Sequence, residues 1–154
     1  MKPWANEKGA AAVEFALVAP LLLLLLAGAV EYGLIFYNQH IITNASREAA
    51  RFGIVSRIPR YSQADMVGIV GNYVDNRLIS FGDAPSYAVV TTSIDGDSGA
   101  TATPNSTTTA FGDSLQVAVT FQYDFLIFPN LSRYFSGDRE DSLALSAVTV
   151  MRYE

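Results

Sequence analysis

Lys8-Gly9-Ala10-Ala11-Ala12-Val13-Glu14-Phe15, running directly into the uncharged stretch 16–30, decides how this chain is built. From Phe15 to Val30 there is no charge, and at about 1.5 Å per helical residue the run covers roughly 24 Å, slightly short of a ~30 Å bilayer core. Extending it to a full span brings in Glu14 on one side or Glu31 on the other. A carboxylate costs about 2.5–3.5 kcal/mol at mid-membrane on insertion scales and less near the interface, so each of these glutamates needs a reason. One reason is that both simply mark the two membrane surfaces. For Glu14 the surrounding residues offer another.

Gly9-x-x-x-x-Glu14 follows a short leader containing Lys2 and Lys8 and precedes a leucine-rich helix. This arrangement resembles the class III signal of type IV pilins and pseudopilins. The resemblance implies cleavage after Gly9 by a membrane prepilin peptidase, with Ala10 as the new N-terminus and Glu14 as its fifth residue. The spacing has a physical sense: an α-amino group is cationic near neutral pH, and Glu14 is the i+4 neighbour of Ala10, one helical turn away. In the family's usual picture the glutamate meets the N-terminal amine of an adjacent subunit. A carboxylate unpaired in hydrocarbon is costly and a paired one much less so, which makes such a pair a register device more than a source of stability.

Two other readings of the segment stay open. Ala27-Gly28-Ala29 fits a small-x-small cleavage site, which would make Met1 to Ala29 an ordinary secretory signal and release a soluble periplasmic binding domain, although Glu14 at the start of the apolar region weakens such a signal. A plain uncleaved anchor is the other. Orientation is also mixed. Lys2, Lys8 and the initial amine favour a cytoplasmic N-terminus, whereas Arg47, Arg51, Arg57 and Arg60 lie past the far end, beginning where the positive-inside bias weakens. The bulk of the chain is expected outside.

Composition narrows the function further. Without residues 1–9, ten basic and fifteen acidic residues become eight and fourteen, and the formal charge moves from −5 to −6, so nothing suggests nucleic acid. There is no cysteine, hence no disulfide and no thiol chemistry. Gly112-Asp113-Ser114-Leu115 spells the nucleophile block of a GDSL esterase, but that chemistry needs a general base, and the one histidine, His40, lies upstream on the long helix. Gly112-Asp113-Ser114 reads better as a turn entering a strand. A lone histidine also leaves the common zinc sites without ligands. Asp95-Gly96-Asp97 begins like a calcium loop, yet its twelfth position is Ser106, so a solvated turn fits better. Asn44, Asn105 and Asn130 head glycosylation-type triplets that are common by chance. No enzyme, cofactor, metal or small-molecule substrate is expected.

The expected organisation is a leader at 1–9, a long helix at 10–58 with its transmembrane part at about 12–37, and an α+β domain at 59–154. No proline interrupts Tyr32 to Val55; Pro59 limits the helix, with Gly53 a possible earlier stop, and Pro20 lies inside it. Ile35, Phe36, Ile42, Ala45, Ala49, Ala50 and Phe52 form an irregular apolar stripe. Ser62-Gln63-Ala64-Asp65 resembles a capping box opening a second helix with Met66, Ile69, Val70, Tyr73, Val74 and Leu78 at helical spacing. Strands are expected at Tyr87 to Ile94, at Leu115 to Tyr123, where apolar and polar residues alternate, and at Leu143 to Tyr153, with Leu143, Leu145, Ala147, Thr149 and Met151 on one face. Asp95 to Asp113 reads as a polar loop. Phe125-Leu126-Ile127-Phe128-Pro129 reads as packing beneath a connection or as a contact surface for a partner. The fold class is α+β: a long N-terminal transmembrane helix followed by a small pilin-like domain, one helix on a three- or four-stranded antiparallel sheet.

Asn44-Ala45-Ser46-Arg47-Glu48-Ala49-Ala50-Arg51, with Glu31-Tyr32-Gly33 upstream and the closing Val150-Met151-Arg152-Tyr153-Glu154, is similar to the TadE-like proteins, minor pseudopilins of the tight adherence (Flp) pilus system. The resemblance covers the first fifty or so residues well and the last dozen weakly. Two departures are Phe15, where many of the wider pilus class have tyrosine, and Ala10, where classical pilins favour phenylalanine; the latter puts N-terminal methylation in question. The resemblance implies a non-enzymatic assembly component of the bacterial inner membrane, with its domain in the periplasm. Gly9 and Ala10 would be the processing site and Glu14 the assembly contact, with Glu31, Arg47, Glu48 and Arg51 as candidates for pairing between helices. Its partners would be prepilin peptidase, other Tad/Flp pilins and minor pseudopilins, inner-membrane platform proteins and membrane lipid.

Overall fold

A computed structural model describes residues 6–55, 61–81, 86–94, 101–102, 112–126 and 142–153. The calcium-like Asp95 turn, the Asn105 and Asn130 triplets, Arg57, Pro59, Arg60 and the end of the apolar patch from Ile127 lie outside these residues.

The first helix, α1, runs unbroken from Asn6–Gly53 with Pro20 inside it. It has two halves of different character. Every large apolar side chain from Val13 to Val30 is 47–74% exposed, so over 11–30 the helix stands clear of the rest of the chain. Those twenty positions rise about 30 Å, the thickness of a bilayer core. Beyond them the helix carries the domain. Glu31, Asn38, Ile42, Ala45, Ser46, Ala49 and Ala50 are buried and fall at the three-, four- and seven-residue spacings of one helical face. Within the segment expected in the membrane, about 12–37, Glu31 is buried and Leu34 and Ile35 pack against the domain's core, while Tyr32, Phe36 and Tyr37 are exposed.

Helix α2 (Gln63–Val74) opens on the expected capping box: the Ser62 side chain accepts from the Asp65 backbone N–H, and the Asp65 carboxylate accepts from the Ser62 N–H at 2.8 Å. It buries Met66, Val70, Gly71 and Val74. It ends at Val74, earlier than the Leu78 that helical spacing suggested. Asn76 turns left-handed there (φ 62°), and Leu78 hydrogen-bonds back to the Val74 carbonyl from outside the helix.

Strands β1 (Tyr87–Ile94), β2 (Thr101–Ala102), β3 (Ser114–Asp124) and β4 (Ser142–Arg152) form one antiparallel sheet in the order β2-β1-β3-β4. The fold is thus α+β with four strands; β2, two residues long, lies within the tract read as a polar loop and pairs with Ser93 and Ile94. Strand β3 shows the alternation clearly, burying Leu115, Val117, Val119, Phe121 and Tyr123. Gly112, at φ 95°, makes the turn entering β3, and its carbonyl accepts from Arg152 Nε at 2.8 Å. On β4, Leu145 and Ala147 face inward as expected, but Leu143, paired with Tyr123 at the sheet's end, is left 38% exposed.

Candidate functional site: a polar clamp where the helix leaves the apolar stretch

Strand β3 lies antiparallel to α1, and three contacts fix the register. A Cβ on Gly53 would fall 2.3 Å from Leu115 Cδ2 and 2.9 Å from Met66 Sδ, so glycine permits the close approach there. Ser46 donates to the Val117 carbonyl at 3.1 Å and meets Thr149 Oγ1 at 2.6 Å. At the far end Glu31 receives the Tyr123 hydroxyl at 3.1 Å and the Leu126 backbone N–H at 2.7 Å. The end of β3 is thereby anchored where the free apolar half of α1 begins.

Glu31 is only 2% exposed, and a buried carboxylate is tolerated when donors satisfy it. The arrangement also acts on its donor. Burial first, then the Glu31 charge and hydrogen bond, push the Tyr123 hydroxyl up to about 12. One helical face further on, Asn38 clamps the α2–β1 connection at two points: its Nδ2 donates to the Ile79 carbonyl at 2.8 Å, and its Oδ1 accepts the Ile79 N–H at 2.9 Å. Gln39 donates to the Ser146 carbonyl at 2.9 Å, and Ser80 to Asp124 at 3.1 Å. Asn38 and Gln39 thus join α1 to the α2–β1 connection and to β4, while Ser80 ties that connection to the end of β3.

The residues singled out in the sequence fall into three groups. Gly9 and Ala10 lie just before the free half of α1 and Glu14 lies within it, and all three are exposed. Glu48 and Arg51 pair with each other one turn apart on the exposed face, at 2.8 Å, and the guanidinium holds the Glu48 carboxyl below its usual range mainly through the hydrogen bond. Such an exposed pair contributes little to stability. Arg47 is exposed nearby. Glu31 stands apart, because both of the bonds just described run to the chain's own domain. Tyr123, Asn38 and Ser46 were not singled out from the sequence. The seven-residue recurrence Glu31, Asn38, Ala45 on the face of Ile42 and Ala49 places Asn38 on the buried side without revealing its partner, and Ser46 falls outside that recurrence.

The esterase-like block has no catalytic geometry. Ser114 lies at the Gly53 end of α1, while His40 is exposed thirteen residues earlier on that helix, about 20 Å away along its axis. Among the described residues no group of three or more acidic or histidine side chains could hold a metal ion.

No curated protein and no solved structure matches the chain. The family described as TadE-like protein matches residues 9–51, from Gly9 to the arginine of the last turn of α1. The matched segment takes in both the free apolar half of α1 and the face that docks the domain. Residues 9–51 are therefore similar to the TadE-like family, which is consistent with a TadE-like protein of the Tad/Flp pilus system.

Proposed function

We propose that the chain is a minor pseudopilin of a Flp-type pilus, processed by prepilin peptidase after Gly9, with its N-terminus cytoplasmic, α1 spanning the inner membrane and its domain in the periplasm. The observation that carries this reading is the family match beginning at Gly9, on a helix whose apolar side chains from Val13 to Val30 face away from the rest of the chain. Each exposed leucine or phenylalanine would gain about 1.5–3 kcal/mol on full burial, so this half of α1 calls for lipid or other helices around it. Glu14 lies just inside the start of that segment, where a neighbouring subunit's new α-amino group at Ala10 would neutralise it. Assembly and charge pairing then become one event. Arg47 and the Glu48–Arg51 pair are exposed for lesser contacts with other pilins or platform proteins, and the work of the subunit is to initiate, prime or regulate pilus growth.

The test is a pair of substitutions in a strain that makes the pilus. Glu14→Ala should leave processing intact but abolish incorporation, and Gly9→Leu should block processing. Normal piliation with Glu14→Ala would overturn the assembly role. Release at Ala29 would instead give a product that leaves the membrane on fractionation.

A further inference from the structure

We infer that the domain does not hang freely from its helix but rests on the bilayer, inserting the apolar end of its sheet into the interfacial layer of the leaflet from which α1 emerges. This rests on the spanning reading of residues 11–30.

The clamp places specific side chains at that level. The Leu126 N–H is bonded to Glu31, one residue past the free apolar half of α1, so Leu126 sits where the helix leaves the hydrocarbon. Leu143 pairs with Tyr123, the other donor to Glu31. Phe81 follows Ser80, which is bonded to Asp124, two residues before Leu126. All three are large and apolar, and they are 46% (Phe81), 41% (Leu126) and 38% (Leu143) exposed. On α1 at the same height, Tyr32 and Phe36 are exposed and stack edge to face at 4.6 Å. From Glu31 to Asn38 the helix rises about 10 Å, comparable to the interfacial layer outside a ~30 Å core, where aromatic residues gather.

Continuity with the spanning segment identifies the occupant. Lipid that surrounds Val30 is continuous with the level of Tyr32 on α1, and with Leu126 and Leu143, which the Glu31 clamp holds at that level. Among the described residues at this end, the Glu31 and Asp124 carboxylates both accept hydrogen bonds from the chain itself. An amphipathic surface of this kind settles about 5–10 Å into the headgroup boundary. Leu143, which the alternation of β4 would have buried in the core, finds its apolar environment there.

The chain has no cysteine, so single spin labels can be placed at will. The full chain, carrying one label at Phe81→Cys, Leu126→Cys, Leu143→Cys, Leu22→Cys or Val150→Cys, is reconstituted in phosphatidylethanolamine–phosphatidylglycerol vesicles. Collision with oxygen and with a water-soluble nickel chelate is then measured. Val150 is the aqueous control, 56% exposed and paired with Gln116 towards the Gly53 end. Leu22 reports the hydrocarbon. Labels at 81, 126 and 143 should show nickel collisions several-fold below the Val150 site and oxygen collisions above it, with depth between Leu22 and Val150. If Leu22 lies in lipid while these three match Val150, the domain stands off the membrane and the inference fails with the spanning reading intact. Labels immobilised and shielded from both reagents would mean that a second copy covers the surface, which also overturns it. If Leu22 itself is aqueous, both the inference and the spanning reading fall.

Discussion

Removing the Glu31 carboxylate should loosen the domain from its helix. Glu31→Ala leaves the Tyr123 hydroxyl and the Leu126 N–H without the acceptor they have at 3.1 and 2.7 Å. Hydrogen bonds to a charged group contribute about 1.5–3 kcal/mol each, and a buried donor left unmade costs about 1–3 kcal/mol. The two losses share one group and are not additive, so about 2–4 kcal/mol is expected for the variant. At about 2–4 °C per kcal/mol for a chain of this size, that is a fall in Tm of roughly 4–16 °C. The assay is thermal loss of the near-ultraviolet tyrosine signal of the full chain in mild detergent. Glu31→Gln keeps an acceptor and should lose less. Tyr123→Phe should cost about 1–2 kcal/mol, and the double variant Glu31→Ala/Tyr123→Phe should fall short of the sum. Glu48→Ala, at an exposed intrahelical pair, is the control and should change stability by less than about 0.5 kcal/mol. If Glu31→Ala melts with the parent, the clamp does not hold the domain.

The Tyr123 hydroxyl gives a pH dependence of known sign. Its pKa is raised to about 12 from the usual 10.0, so the folded state holds the proton longer; the stabilisation is complete below pH 10 and is lost as pH rises through about 12. Ultraviolet titration of tyrosinate absorbance should show one late-ionising group that disappears in Tyr123→Phe; its persistence would contradict the assignment. Gly53→Val should lose about 1–3 kcal/mol, because the side chain would press on Leu115 and Met66, while Gly68→Ala, with open space around it, should gain about 0.8–1.0 kcal/mol. Chemical denaturation orders the two. Asn38→Ala removes both bonds to Ile79 and should cost about 1–3 kcal/mol, with amide exchange at Ile79 accelerated; unchanged exchange there would refute the two-point clamp.

Local pattern carried most of the architecture. The period-two alternation from Leu115 to Tyr123 matches the buried row of β3, and Ser62 to Asp65 forms the capping box that its spacing implied. What could not be seen locally is what lies far apart in the chain. Glu31 beside an apolar run reads as a membrane boundary or a helix-pairing charge, because Tyr123 and Leu126 are more than ninety residues away. Asn38 and Ser46 were obscured for a related reason, since their acceptors are backbone carbonyls of a connection and a strand, groups that every residue possesses. Leu143 obeys the alternation of β4 but lies at the end of the sheet, where nothing described covers it fully. The stop of α2 at Val74 depends on a left-handed Asn76, a conformation asparagine adopts readily but does not demand. The free half of α1 was legible throughout, because lipid selects composition residue by residue.

The central claim is that Glu14 is tolerated in an apolar helix because processing creates a cation to meet it. N-terminal sequencing of the chain from cells with and without prepilin peptidase tests this most directly. A mature chain that starts at Ala10 only when the peptidase is present is the predicted result. A start at Val30, or an unprocessed chain in both strains, would contradict it.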